Sequence, residues 1–187
     1  MDRYIDIRLL LDPEFSAPIL MNVLFGKLHR GLVTHGGRNI GVSFPDVGKN
    51  GRSLGERLRL HSNRVGLEKL MLSNWLVGMR DHAAVSEITE VPAHAKQRVV
   101  RRVQVKSNPE RQRRRLIARR GVTIEQAIQV IPDGKAKRLN LPYLVLTSQS
   151  TGQQFRLFVE HLAVREQPTN GKFSAYGLSP TATIPWF

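Results

Sequence analysis

The sequence predicts an α+β fold with two parts. These are an N-terminal ferredoxin-like domain over residues 1–93 and a C-terminal α+β domain over residues 94–187 that contains an arginine-rich helix. Three observations favour this fold. The segment Tyr4–Leu9 alternates polar and apolar residues, as a half-buried strand does. Apolar residues after Ser16 recur with the period of a helix. A further helix start, at Asn108-Pro109, lies inside a strongly basic stretch.

The N-terminal part has the predicted order β-α-β-β-α-β. After the first strand, a helix is predicted from Ser16 to about His35, ended by Gly36-Gly37. Its predicted apolar face comprises Leu20, Val23, Leu24, Leu28 and Leu32. Strands are predicted over 40–45, 54–61 and 84–91, with a loop over 47–53. The second helix is predicted over Val65–Met79, and its inward side chains are Leu67, Leu70, Met71 and Trp75.

The C-terminal part follows a boundary at Pro92–Gln97. A strand is predicted over Arg98–Lys106, followed by the arginine helix and by a short helix that starts at Thr123 and ends before Pro132. Three more strands are predicted over 143–147, 154–162 and 172–177. The apolar tail Ile184–Phe187 is predicted to pack on the core.

Positive charge is the strongest compositional signal. The 187 residues carry a formal net charge of +14. Eleven lysines and arginines lie between Lys96 and Arg120, where Glu110 is the only acid. Such density, in a segment that still carries helix signals, favours a polyanionic partner.

The arginine helix is predicted to have two different faces. At about 100° per residue, one broad face carries Arg111, Arg114, Arg115 and Arg119. Leu116 and Ile117 fall on the other side, where they can pack on apolar side chains. One-sided spacing of this kind suits a helix that lies along a nucleic-acid groove, although many charge runs are only solvated surface.

Composition excludes or disfavours several kinds of site. There is no cysteine, so disulfides and cysteine metal sites are excluded. The six histidines are scattered, and neither a paired-carboxylate pattern nor a glycine-rich phosphate loop is present. No run approaches the roughly 18 apolar residues of a membrane helix, and the first residues lack the apolar stretch of a signal peptide. We therefore expect a cytoplasmic protein without a metal or other cofactor.

Nine short motifs occur in one order along the whole chain. They are Phe25–His29, Gly41–Pro45, Leu54–Arg59, Arg102–Gln104, Lys106–Arg111, Arg113–Leu116, Ser148–Gly152 with Phe155–Phe158, Tyr176–Ser179 and Pro185–Phe187. In this set the chain closely resembles the type I-F CRISPR repeat-processing endoribonucleases, the Cas-six subtype F or Csy-four family.

The resemblance implies a specific activity. Such proteins bind the stem-loop of CRISPR repeat RNA and cut at the 3′ base of the stem without a metal. The 2′-hydroxyl of the RNA attacks the adjacent phosphate and leaves a 2′,3′-cyclic phosphate and a 5′-hydroxyl. The enzyme then stays on the mature crRNA as a subunit of the type I-F interference complex. A non-catalytic crRNA hairpin-binding subunit of an effector or transposon-associated complex is the alternative, and a general basic RNA-binding protein is a second rival.

The resemblance also implies roles for individual residues. The catalytic histidine, the catalytic serine and the tyrosine that supports the histidine match His29, Ser148 and Tyr176. The base-reading pair matches Arg102 and Gln104. The remaining expected RNA contacts are Ser107, Arg111, Arg114, Arg115, Arg119, Arg120, Ser150, Thr151 and the stacking aromatic Phe155. One departure is Ala118, where relatives carry another arginine, so phosphate contacts are expected to shift to Arg119 or Arg120.

Taken by themselves, these residues permit plainer interpretations. His29 lies near the end of a helix, where a cationic histidine is stabilised by the helix dipole. Phe155 alternates with Leu157 and could be core, and Ser148 lies in a loop of small polar residues typical of a turn. Arg102 lies two residues before Gln104, so the two side chains would share one face of a strand. On that face Arg102 could read guanine and Gln104 could read adenine. Both could equally be ordinary polar surface.

Overall fold

The computed structural model describes residues 1–36, 38–48, 53–104, 109–132 and 139–187, with only the backbone of Arg111. These residues form four helices and nine strands, and the strands make two antiparallel sheets. The predicted α+β class is confirmed. Residues 1–103 together with 141–187 make one compact unit, and residues 104–140 make a second. The functional division predicted between residues 93 and 94 stays a prediction.

The first sheet and its two helices come from the N-terminal part of the first unit. In chain order the elements are β1 Arg3–Leu9, α1 Ala17–His35, β2 Gly41–Ser43, β3 Arg57–Ser62, α2 Arg64–Leu72, β4 Ala83–Val85 and β5 Thr89–Glu90. The strand order is β2-β3-β1-β4, and β5 also pairs with β1. The predicted order β-α-β-β-α-β is present, and the assignment to the ferredoxin-like group stays a prediction.

Two predicted boundaries in this part are wrong. The second helix ends at Leu72 rather than Met79, because the backbone turns at Ser73 and Asn74 adopts a left-handed φ of 52°. The strand predicted over 84–91 is split into β4 and β5. Ser86 causes the break, since its hydroxyl accepts a hydrogen bond from the Asp6 N–H and so replaces a carbonyl of the ladder.

The second sheet comes from the C-terminal part of the chain. Its strands are β6 Lys96–Val103, β7 Tyr143–Thr147, β8 Gln154–His161 and β9 Thr183–Trp186, in the order β7-β8-β6-β9. The predicted docking of the C-terminal tail is confirmed, because β9 pairs with β6 and buries Ile184. The strand predicted over 172–177 is wrong, since residues 174–177 form a turn closed by a hydrogen bond from the Gly177 N–H to the Ser174 carbonyl.

One apolar cluster within the first unit connects both sheets to α1. It includes Leu24 and Leu28 of α1, Leu60 of the first sheet, and Leu144 and Leu157 of the second. Val23, which was predicted to face inward, is 45% exposed. Packing in this cluster holds α1 against β7, and it thereby fixes the position of the helix face that stays accessible to solvent. No helix in the described residues is long and apolar enough to cross a membrane.

The second unit contains two helices. They are α3 Pro109–Arg120, the arginine helix, and α4 Ile124–Val130. Thr123, the predicted start of this helix, caps α4 through a capping box with Gln126. Arg113 donates a hydrogen bond to the Ile131 carbonyl at 2.8 Å and so connects the two helices. The predicted N-cap of α3, Asn108, lies outside the described residues.

Candidate active site and arginine helix

A cavity of about 620 Å³ opens in the first unit between α1, the β7–β8 hairpin and the turn at residues 174–177. It is lined by all three residues predicted for catalysis, His29, Ser148 and Tyr176, together with Ser150 and Phe155. These five positions span more than a hundred residues of sequence. The fold therefore brings together the side chains that the resemblance marks as chemically important.

His29 is held by two contacts to the 174–177 turn. Its Nδ1 lies 2.8 Å from the carbonyl oxygen of Ala175, and its ring stacks on Tyr176 with centroids 4.1 Å apart and planes 12° apart. A carbonyl oxygen can only accept, so Nδ1 carries a proton. In the neutral ring, the free lone pair is then on Nε2, which can accept a proton from a substrate.

The 174–177 turn depends on Gly177. This residue has a φ of +67°, and an added Cβ would lie 2.2 Å from Val42 Cγ2. The Gly177 carbonyl also accepts a hydrogen bond from the Val42 N–H at 2.8 Å. The turn is thus fastened to β2 at a distance that only glycine permits. Its position fixes both the Tyr176 ring and the Ala175 carbonyl against His29.

Ser148 lies in the loop between β7 and β8. Its N–H donates to the Gln153 carbonyl, and its carbonyl accepts from Gly152 N–H, so the loop is closed by its own backbone. Ser148 Oγ is 3.1 Å from Ser150 Oγ. Thr151, in the same loop, is exposed. The hydroxyls of Ser148 and Ser150 therefore form a small polar group on the hairpin side of the cavity.

Phe155 lines the same cavity, and Arg102 of the same unit lies close to its ring. The Arg102 guanidinium lies 5.3 Å from the Tyr176 ring centre and 5.7 Å from that of Phe155, within cation–π range. Phe155 is half-buried rather than fully in the core. Gln104 is exposed and lies one residue beyond the end of β6. The shared base-reading role of Arg102 and Gln104 stays a prediction.

Asn22 is a cavity residue that the sequence analysis missed. Its side-chain Oδ1 accepts a hydrogen bond from the Val145 N–H of β7 at 2.9 Å. β7 is an edge strand, so the Val145 N–H has no acceptor on a neighbouring strand, and the Asn22 side chain takes that place. Asn22 precedes His29 by seven residues, two helical turns, and that spacing was the signal available in the sequence. It connects the helix that carries His29 to the strand that leads into Ser148.

In the second unit, four arginines of α3 face solvent. Arg114, Arg115, Arg119 and Arg120 are exposed, whereas Leu116 and Ile117 are half-buried. None of the four exposed arginines forms an ion pair with a residue in the described parts of the chain. For the side chains that the structure describes, the predicted two-sided character of the helix is confirmed. Ser107 and the side chain of Arg111 lie outside the described residues.

No three histidine or acidic side chains of the described residues come close enough together to hold a metal ion. The polar side chains that line the cavity are an imidazole, a phenol, hydroxyls, amides and a guanidinium. They can accept a proton, orient a hydroxyl and bind an anion.

Comparison with known proteins gives one consistent result. The family model described as CRISPR-associated protein (Cas_Csy4) matches residues 4–187. The CRISPR-associated endonuclease Cas6/Csy4 of Pseudomonas aeruginosa (strain UCBPP-PA14) is 51% identical over 187 residues, which cover all of both chains. The protein of the same name from Escherichia coli (strain UTI89 / UPEC) is 48% identical, again over the full length of both. The chain therefore belongs to the Cas_Csy4 family of CRISPR-associated proteins.

Proposed function

We propose that this protein is an endoribonuclease that binds the stem-loop of CRISPR repeat RNA and cuts it at the 3′ base of the stem. Two full-length relatives are named CRISPR-associated endonucleases. The single observation that carries the proposal is the cavity in which His29, oriented by Tyr176 and Ala175, lies with Ser148 and Ser150. A histidine with its Nε2 lone pair free, beside hydroxyls and a guanidinium, suits RNA cleavage by internal attack.

The chemistry follows from the groups that line the cavity. His29 Nε2 takes the proton from the 2′-hydroxyl at the cut site, while Ser148 Oγ holds that hydroxyl or its ribose in line with the phosphate. The 2′-oxygen forms a bond to phosphorus as the bond to the 5′-oxygen breaks. The leaving oxygen takes up a proton, so the products carry a 2′,3′-cyclic phosphate and a 5′-hydroxyl. The reaction needs no metal in this scheme.

RNA binding is assigned to other side chains. Ser150 and Thr151 bond phosphates next to the cut, and Phe155 stacks on the last base pair of the stem. Arg102 and Gln104 read bases there, since the end of a short hairpin opens a groove that is otherwise too deep and narrow. Ser107, Arg111, Arg114, Arg115, Arg119 and Arg120 hold the phosphates of the stem.

The activity is tested with purified protein and labelled repeat RNA. We expect one cut at the 3′ base of the hairpin, in the presence of a chelator, with a cyclic phosphate on the 5′ product. A substrate with 2′-deoxyribose at the cut site should bind but stay intact. Cleavage of that substrate would mean a water nucleophile, and a chelator-sensitive reaction would contradict the scheme.

His29→Ala separates the enzyme from the alternative, a non-catalytic hairpin-binding subunit. The variant lacks the proton acceptor, so its cleavage rate should fall by at least about 10²-fold, while hairpin affinity stays close to that of the wild type. Loss of binding together with cleavage would contradict a purely catalytic role.

We further propose that the protein stays on the cleaved hairpin as a subunit of the type I-F interference complex. Co-purification of the protein with crRNA tests this proposal.

A further inference from the structure

Arg30 is the one side chain with a permanent charge among the described residues that line the catalytic cavity. Apart from His29, the other lining residues are apolar or carry a hydroxyl or an amide, and none of them carries a carboxylate. In the proposed reaction, His29 and Ser148 act on the 2′-hydroxyl. The guanidinium of Arg30 has no role in those steps, although it lies in the same wall as His29.

The sequence of α1 leaves space in this wall next to Arg30. Gly26 precedes Arg30 by four residues and lies on the same helix face. Long side chains in helices lean toward the N-terminus, over the turn before their own Cα, so the Arg30 side chain can extend over Gly26. An added Cβ at Gly26 would lie 4.0 Å from Leu146 Cδ2, an ordinary contact distance. The glycine therefore leaves room between α1 and β7 for a further group.

The guanidinium of Arg30 is available to bind an anion. The residue is exposed, and it forms no ion pair with a residue in the described parts of the chain. Arg59 differs, since its guanidinium is held by both carboxylate oxygens of Asp6, at 2.6 and 2.8 Å. Two parallel N–H groups of an arginine match two oxygens of a phosphate. An arginine without an acidic partner, in a cavity proposed to hold a phosphate, favours contact with that phosphate.

We propose that Arg30 is a catalytic residue that donates hydrogen bonds to the nonbridging oxygens of the scissile phosphate. The inference rests on the proposed function, because it takes this phosphate to lie between His29 and Ser148. As the 2′-oxygen bonds to phosphorus, and before the bond to the 5′-oxygen has broken, these oxygens carry more negative charge than in the starting diester. A cation next to them stabilises the transition state more than the bound substrate, so it raises the rate more than the affinity. Arginine gives up no proton in proteins, so the proton transfers of the reaction are unchanged.

The cleavage rate of Arg30→Gln tests the role of the charge. Glutamine is a good helix former and keeps a polar side chain but removes the cation. We expect the single-turnover rate at saturating protein to fall about 10- to 100-fold, a smaller loss than for a donor in a water-excluded site because Arg30 is exposed. Arg30→Lys keeps the charge and should recover part of the rate. Affinity for a hairpin that ends in a 3′-hydroxyl at the cut, and so lacks the scissile phosphate, should change less than about twofold.

Arg38→Gln is the matched control. It removes the same charge from another exposed arginine, which does not line the cavity and forms no ion pair with a described residue. Its cleavage rate should equal that of the wild type. Both glutamine variants should melt within about 2 °C of the wild type, because each change is on the surface.

Sulfur substitution at the scissile phosphate tests the contact itself. Two substrates each carry sulfur in place of one of the two nonbridging oxygens. Sulfur is a weak hydrogen-bond acceptor, so the wild type should cut the two isomers at rates that differ about fivefold or more. In Arg30→Gln the two rates should differ less than about twofold, because the donor that distinguishes the oxygens is gone. This ratio compares two substrates on one protein, so it does not depend on the folded fraction of the variant.

The outcomes distinguish this inference from the proposed function. A wild type that cuts the hairpin but does not distinguish the sulfur isomers overturns the inference alone. An Arg30→Gln variant that cuts at the wild-type rate, that keeps the full difference between isomers, or that loses affinity for the 3′-hydroxyl hairpin in step with its rate does the same. A wild type that neither binds nor cuts the hairpin overturns the proposed function instead.

Discussion

Replacing Asn22 by leucine should slow RNA cleavage without a matching loss of RNA binding. The Asn22 Oδ1 accepts from the Val145 N–H at 2.9 Å, and leucine has a similar volume but no acceptor. The Val145 N–H then has no acceptor on its half-buried edge strand. The missing hydrogen bond lowers the free energy of unfolding by about 1 kcal/mol, or by up to about 3 kcal/mol if water cannot reach the N–H. The stability cost is therefore modest.

The larger effect should be on geometry. Val145 is three residues before Ser148 in the same strand and loop, so a shift of β7 moves Ser148 relative to His29. A displacement of about 1 Å at a reacting centre can cost on the order of 10²-fold in rate. We expect the single-turnover rate at saturating protein to fall between about 10- and 100-fold, while hairpin affinity changes less than about threefold.

Asn22→Asp is the matched control. It has the same shape and keeps an oxygen that accepts from Val145, but it adds a negative charge to a cavity that we propose binds phosphate. It should therefore keep most of the cleavage rate at saturation and weaken binding, the more so at low salt. Single-turnover cleavage, fluorescence anisotropy and thermal melting measure the three quantities. A leucine variant that cuts at the wild-type rate, or that loses rate and affinity in parallel, would refute the reasoning.

Three further predictions concern single side chains. Tyr176→Phe keeps the ring that stacks on His29 and should retain the cleavage rate within about threefold. Tyr176→Leu removes that ring, and its cleavage rate should fall about tenfold or more. Equal losses of rate for the two variants in single-turnover assays would mean that the hydroxyl, not the ring, is needed. Arg115→Ala should lower the slope of log affinity against log salt by about 0.7 to 0.9 without moving the cut site, and an unchanged slope would exclude a phosphate contact. His161→Phe concerns stability. Burial and, secondarily, the charge of Arg98 lower the pKa of His161 to about 3. Between about pH 6.5 and 3, His161 therefore binds a proton in the unfolded chain but not in the folded one. The free energy of unfolding of the wild type falls as the pH falls through this range, by about 2 kcal/mol at pH 5. The phenylalanine variant should lose that much less between pH 7 and 5 in urea unfolding, and equal losses would contradict the assignment.

Much of the fold was predictable because local patterns were strong. The alternation in Tyr4–Leu9, the period after Ser16 and the capping residue Thr123 each specify an element from neighbouring residues alone. The errors occurred where a distant contact overrides the local pattern. The residues 172–177 look like a strand, but they turn because Gly177 must approach Val42 closely. The strand over 84–91 is broken where the Ser86 hydroxyl accepts a hydrogen bond from the N–H of Asp6, 80 residues away.

By itself, the sequence determined the α+β class, the basic character of the chain and, through ordered motifs, the residues to consider for chemistry. These properties depend on residue type and on spacing along the chain. The tertiary structure decided that His29, Ser148 and Tyr176 line one cavity, which nitrogen of His29 carries the proton, and that Asn22 connects α1 to β7. Such facts depend on distances between segments far apart in sequence, and those distances are fixed only when the core packs.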